Sequence, residues 1–126
     1  MGVTAARALG AIPRALAVGV VAVPSQRQPI PLLDRNATIR FVTRDTVRLD
    51  AEMIRTELGD ALTTTPEQTV LDLAHRPSLG DAESDVPAAI RTLIRRCDPE
   101  RLAQLAGEQR RSAALRRATA IAEENL

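Results

Sequence analysis

TTPEQTVLDL, at positions Thr64–Leu73, marks the point where the chain changes from strand-like to helix-like sequence. Thr65 can accept hydrogen bonds from free amides of a first helical turn, and Pro66 follows at the position where a missing N–H costs nothing. Gln68, three residues after Thr65, completes the spacing of a capping box. Glu67 in the first turn places a negative charge where the helix dipole favours one. The stretch predicts a helix that begins at Pro66 and ends before Pro77. Its predicted buried side comprises Val70, Leu71, Leu73 and Ala74.

Three further helices are predicted downstream. Ser84 or Asp85 caps the second helix, whose apolar residues recur every three and four positions. This stripe is Val86, Ala89, Ile90, Leu93, Ile94 and Cys97. Asp98, followed by proline and glutamate, starts a third helix that we expect Gly107 to close. A last helix runs from about Arg111. Its inward side comprises Leu115, Ala118, Ile121 and Ala122.

The sequence before residue 65 favours strands. Weak helical character around Ala5–Leu9 ends at Pro13, and the β-branched run Ala15–Val23 predicts a buried strand over about 17–23. The same run, with arginines upstream, also resembles the apolar core of a signal peptide. It is too short to span a bilayer.

Turns and strands alternate over residues 24–65. Proline density predicts an exposed, extended loop over residues 24–33. Asp34 and Asn36 mark a turn, followed by a strand at Ile39–Thr43. A turn near Arg44 and Asp45 leads to a short strand at Val47–Leu49. A hairpin is then predicted from Met53–Leu58 and Ala61–Thr65, with Gly59 and Asp60 as its turn.

This order predicts an α+β fold in one domain over residues 1–126: a small N-terminal antiparallel β-region at about 15–65, then a bundle of about four helices at 66–126. Phe41 is the only aromatic residue, so the core must be aliphatic.

Composition excludes several kinds of chemistry. All 17 basic residues are arginines, which rules out Schiff-base lysines and the lysine of a phosphate-binding loop. The formal net charge of +1 argues against a grip on nucleic acid by the whole protein. The single cysteine, Cys97, can form neither an internal disulfide nor a multi-cysteine zinc site. We expect a reduced, cytoplasmic protein.

Candidate catalytic and metal-binding groups are isolated. His75 has no second histidine or nucleophile at a useful spacing, and Cys97 on an apolar stripe is typical of a core residue. Asp72 is four residues before Arg76, which predicts a surface ion pair on one helix face. A metal-dependent nuclease would need paired acids. The candidates are Asp34, Asp45, Asp50 and Glu52. Turn and solvent roles explain them more simply, so we expect no catalytic, metal or cofactor site.

Arginine is the remaining signal. If the second and last helices lie side by side, their arginines form a basic surface for phosphates or an acidic partner. This candidate recognition surface is Arg91, Arg95, Arg110, Arg111, Arg116 and Arg117. The alternative is a set of solvated helix faces that nearby glutamates partly neutralise. No aromatic residue is interleaved for base stacking.

TTPEQTVLDL resembles the helix opening in the C-terminal domain of AbiEi-type antitoxins, from type IV toxin–antitoxin systems linked to abortive phage infection. Val21–Pro24, Ile39–Arg44 and Asp98–Leu102 also resemble parts of that domain, so the resemblance covers roughly residues 17–122. Two departures stand out. Gln68 replaces a common arginine, and no segment before Ala15 is long enough for the N-terminal winged helix–turn–helix of these antitoxins.

The resemblance implies an antitoxin or regulatory module, not an enzyme, that opposes a nucleotidyltransferase-like toxin. It does not imply a stable complex with that toxin. Because no winged helix is recognised in the sequence, the resemblance does not predict DNA binding either. The alternatives are a DNA-binding transcriptional regulator or a non-functional truncated remnant of one. A metal-dependent nuclease is the third class.

Overall fold

The computed structural model describes residues 1–26, 28–32, 37–56 and 59–124. Its elements follow in chain order: α1 (Gly2–Ala8), β1 (Val18–Val23), β2 (Ile30–Leu32), β3 (Ala37–Thr43), β4 (Ala51–Thr56), β5 (Gly59–Thr64), α2 (Pro66–His75), α3 (Val86–Ile94), α4 (Pro99–Glu108) and α5 (Ser112–Glu123). The α+β prediction is confirmed. Four of these α-helices follow residue 65, and α1 lies before the strands.

The start of α2 is built as its sequence predicts. Thr65 is extended at the N-cap, and its side chain accepts a hydrogen bond from the Gln68 amide. The predicted inward residues Val70, Leu71, Leu73 and Ala74 are all buried. The helix packs against α1, α3, α4, α5 and β5, which makes it the centre of the fold.

Two predicted helix ends differ from the structure. Asp85 is the N-cap of α3, but its carboxylate accepts hydrogen bonds from Arg14 and does not cap. Gly107 lies inside α4 and does not close it. Arg110 takes the left-handed conformation, with φ of 56°, and the Arg111 amide donates to the Ala106 carbonyl at 2.8 Å. A non-glycine residue therefore does what a closing glycine usually does.

The first three strands form one sheet in the order β1-β3-β2. Strands at Val18–Val23 and Ala37–Thr43 confirm two predictions, but they pair in parallel. The predicted antiparallel arrangement is therefore wrong for this pair. Parallel strands need a long crossover connection, and the residues between the two strands, 24–36, are numerous enough to provide one. That connection was predicted as loop, yet it contains β2, an edge strand. Pro31 fits there because an edge strand can lack a donor.

A separate antiparallel hairpin, β4–β5, follows, and this prediction is confirmed. Gly59 and Asp60, which were predicted to form its turn, instead pair with Thr56 and Arg55 inside the ladder. No strand forms at Val47–Leu49, where the Arg48 amide donates to the Asp45 carbonyl in a turn. Val47 is 93% exposed. Its β-branched side chain favours a strand, but without a neighbouring strand to pair with the segment does not form one. The predicted turn at Asp34 and Asn36 lies outside the described residues.

The core is aliphatic, as the composition requires. It joins the inward faces of α2 and α3 to the middle of α4 and α5, with α1 and Val20 of β1 closing one side. Of the predicted α5 residues, Ala118 is buried. Leu115, Ile121 and Ala122 are half-buried. The α3 stripe is buried from Val86 to Leu93, whereas Ile94 and Cys97 pack at its margin.

Candidate functional site

The buried polar residues of the described chain all fall within the stretch Thr64–Asp72. Gln68 and Thr69 are fully buried, and Asp72 is 6% exposed. The Thr64 and Thr69 hydroxyls are 2.8 Å apart. Because buried polar groups must find hydrogen-bond partners, this stretch organises whatever packs against it.

Gln68 is the centre of a polar network that joins three parts of the chain. Its Oε1 accepts from the Asp50 amide at 3.1 Å, and its Nε2 donates to Asp72 Oδ1 at 3.1 Å. The side-chain amides of Gln68 and Gln109 pair reciprocally, at 3.0 and 2.6 Å. All of these contacts are made by one uncharged side-chain amide.

Asp50 anchors the other side of this network. It accepts hydrogen bonds from Thr65 Oγ1 at 2.8 Å and from Arg101. Burial opposes the charge on Asp50, but Arg101 and Thr65 outweigh burial and lower the pKa of this carboxyl below its ordinary value. Asp50 is therefore a structural acid that ties the segment before β4 to α2 and α4.

Asp72 is not the surface residue that its spacing from Arg76 predicted. It is buried, and Oδ1 accepts from Arg44 Nη1 at 3.2 Å as well as from Gln68. Oδ2 is enclosed and has no hydrogen-bond partner in the described structure. Burial raises the pKa of Asp72, and the opposing effects of Arg44 and Gln68 do not fully offset it. The predicted ion pair with Arg76 is therefore wrong.

Asp72 lines a cavity of about 150 Å³ at the C-terminal end of α2, which we call the Asp72 cavity. Its other charged and titratable lining residues are Met1, through its N-terminal ammonium, and Arg44, His75, Arg76 and Arg111. Burial lowers the pKa of His75, and the positive charges of Arg111, Arg117 and Arg44 lower it further. The charged form of His75 is therefore disfavoured by this positive environment.

The candidate arginines have different individual surroundings in the structure. Arg111 lines the Asp72 cavity, and Arg117 Nε donates to the Ala74 carbonyl at 3.0 Å. Arg110 and Arg116, which immediately precede Arg111 and Arg117, are exposed. Arg95, which directly follows α3, is exposed, and α3 itself packs against α5. Arg91 is half-buried, and its Nε has no partner in the described chain. Arg96, by contrast, donates to the Leu9 carbonyl at 2.6 Å.

The acids considered for a nuclease site do not share one set of contacts. Asp50 is occupied by the network, Glu52 is exposed on β4, and Asp34 lies outside the described residues. Over the described ranges, no group of three or more His, Cys, Asp or Glu residues could hold a metal ion. None of the helices there has the length and apolar character needed to cross a bilayer.

A family described as the AbiEi antitoxin C-terminal domain matches residues 1–123. The chain belongs to this family. No curated protein and no solved structure matches the chain. The match extends the sequence resemblance, which began near residue 17, through α1 and the residues that follow it. Family membership supports an antitoxin or regulatory role within a toxin–antitoxin system.

Arg44 and Gln109 are the site residues of this antitoxin domain that sequence reasoning missed. Each is remote in sequence from its partner on α2, so local patterns could not pair them. One signal was present: Gln68, Thr69 and Asp72 follow a helical spacing beside Leu71, on the face expected to be buried. Polar residues on an inward face indicate an internal network.

We expect Cys97 to react slowly with thiol reagents. Burial, and then the negative charge of Glu67, raise the pKa of the Cys97 thiol from 9.0 to about 12. This difference lowers the thiolate fraction about 1000-fold at a given pH, and the thiolate is the reactive form. Iodoacetamide labelling at pH 8, followed by mass spectrometry, should be at least about 100-fold slower in the folded chain than in urea.

Glu67→Gln should speed labelling of Cys97 in the folded chain. Equal rates with and without urea would contradict the assignment.

Proposed function

We propose that this antitoxin domain opposes a nucleotidyltransferase-like toxin of a type IV, abortive-infection system in the bacterial cytoplasm, and that it catalyses no reaction itself. The family match over residues 1–123 carries the proposal. The buried hydrogen bonds that Gln68 makes with Asp50, Asp72 and Gln109 support a structural rather than catalytic use of the most distinctive sequence. The proposal does not require a stable complex with the toxin.

The recognition surface in this proposal is the arginine set Arg91, Arg95, Arg110, Arg111, Arg116 and Arg117. Exposed arginines suit an acidic or phosphate-bearing partner, because the guanidinium can bind carboxylate and phosphate through two hydrogen bonds.

Charge reversal at two exposed arginines should abolish neutralisation. Arg95 and Arg116 are exposed; Arg95 directly follows α3, and Arg116 lies on α5. Changing both to glutamate removes two ion pairs and adds repulsion, a loss of about 2 kcal/mol or roughly 30-fold in affinity. Co-expression with the toxin encoded by the adjacent gene, scored as colony formation, measures the effect. The unaltered chain should restore growth and the double variant should not.

The matched control is Arg48→Glu with Arg55→Glu, on the turn before β4 and on β4 itself. Both double variants change the formal net charge from +1 by −4, to −3. If both lose neutralisation equally, total charge and not the arginine surface is responsible. If neither does, the surface assignment is wrong. Failure of the unaltered chain to restore growth beside a toxic neighbour would refute the antitoxin role for this chain.

DNA binding is the alternative, and the exposed arginines of α5 favour it. It predicts a gel shift with the DNA upstream of the gene, with an affinity that falls steeply as salt rises. The absence of a shift at low salt would eliminate it.

A further inference from the structure

The Asp72 cavity carries an excess of positive charge. Asp72 faces two positive groups, Arg44 and the Met1 ammonium. No carboxylate within the described chain pairs with Arg76 or Arg111. Arg117 adds its charge nearby, since it acts on His75 together with Arg44 and Arg111. A ligand of this cavity must therefore be an anion.

The buried carboxylate adds a second requirement. Asp72 is 4% exposed in its side chain, and both of its hydrogen bonds fall on Oδ1. Oδ2 has none, and a buried acceptor left unsatisfied is costly. Oδ2 is enclosed, so a ligand reaches it only after the carboxylate turns about its terminal torsion, which is soft in aspartate. An anion that enters beside Asp72 must bring a hydrogen-bond donor, because a fully deprotonated one would be repelled.

We propose that the Asp72 cavity binds a hydrogen-bearing phosphate group, whose P–OH donates to Asp72 while Arg76 and Arg111 hold its charged oxygens. Inorganic phosphate and the terminal phosphate of a phosphomonoester share this chemistry. Sulfate and phosphodiesters carry no such proton at neutral pH. A volume of about 150 Å³ is well below the roughly 300 Å³ of sites that enclose a whole small molecule, so only the phosphate group enters. This site would exist whether or not the chain opposes a toxin.

The test is a titration of the full chain, followed by amide chemical shifts in nuclear magnetic resonance. The four probes are inorganic phosphate, ribose 5-phosphate, sulfate and dimethyl phosphate, at constant ionic strength. Phosphate should bind at least tenfold more tightly than sulfate, and the monoester more tightly than the diester. Stronger binding of ribose 5-phosphate than of phosphate identifies a phosphomonoester as the ligand. The reverse order identifies the free ion.

Variants separate the two parts of the site. Arg111→Ala should weaken phosphate at least tenfold, whereas Arg55→Ala, an exposed arginine on β4, should leave affinity unchanged. Asp72→Asn presents an amide donor and should bring phosphate and sulfate to similar affinities. If this variant does not fold, the four-probe comparison on the unaltered chain still decides. Equal binding of phosphate and sulfate, no binding at tens of millimolar phosphate, or an unaffected Arg111→Ala variant would each overturn the proposal.

Discussion

Gly80→Ala should lower the stability of the chain more than any other single methyl addition at its described glycines. Gly80 is buried with φ of +93°, and a Cβ there would lie 2.5 Å from Val3 Cγ2 and 3.1 Å from Val20 Cγ2. Val3 belongs to α1 and Val20 to β1, so no one element can move aside without disturbing the others. The left-handed backbone and the overpacking together should cost about 3 kcal/mol. A loss of this size corresponds to a decrease of about 10 °C in Tm.

Gly10→Ala is the matched control. Gly10 also has a positive φ, +84°, but a Cβ there would meet nothing within 4 Å. It follows α1, where the Ala11 amide donates to the Ala6 carbonyl at 2.8 Å. Only the backbone strain applies, so the expected cost is about 1 kcal/mol. Thermal unfolding of both variants, monitored by circular dichroism, measures the difference. Equal losses would mean that the close approach of Gly80 to Val3 and Val20 does not limit packing.

Local chemistry explains which elements the sequence predicts. The start of α2 follows from Thr65 and Pro66 alone, and the α4 start from Asp98, which accepts a hydrogen bond from the Glu100 amide at 3.0 Å. Caps and apolar periodicity act within a few residues, so they can be recognised without the fold. Strand pairing cannot be recognised in this way. The parallel partner of Val18 is Thr38, and the prolines of the connection between them predict only a loop.

The candidate site was less predictable for the same reason. The spacing of Asp72 and Arg76 is as good as that of many surface ion pairs, but burial of the α2 face decides the outcome. Arg44 reaches Asp72 from the end of β3, and Gln109 reaches Gln68 from the end of α4. Such contacts depend on how α4 and the β3 end pack on α2, which no local pattern specifies. The sequence shows which arginines are candidates for a recognition surface, but it does not show what each of them contacts.

Gln68→Leu should destabilise the chain by about 3 kcal/mol although leucine suits a buried helix face, because its partners lose their bonds. The Asp50 amide loses its acceptor, Asp72 Oδ1 keeps only Arg44, and the Gln109 amide loses a reciprocal pair. The helix cap survives, since it uses the backbone amide of residue 68. Helicity should therefore persist at low temperature while the midpoint of urea unfolding falls.

Gln104→Leu is the control for this substitution. Gln104 is exposed on α4, where its Nε2 donates to Glu108 Oε1 at 3.1 Å and its Oε1 accepts from Arg101. The same chemical change at an exposed site should alter stability by less than about 0.5 kcal/mol. Urea unfolding of both variants separates loss of the buried network from a general intolerance of leucine. If Gln68→Leu is as stable as Gln104→Leu, apolar burial at residue 68 offsets its amide contacts, and the network confers specificity on the fold without adding stability.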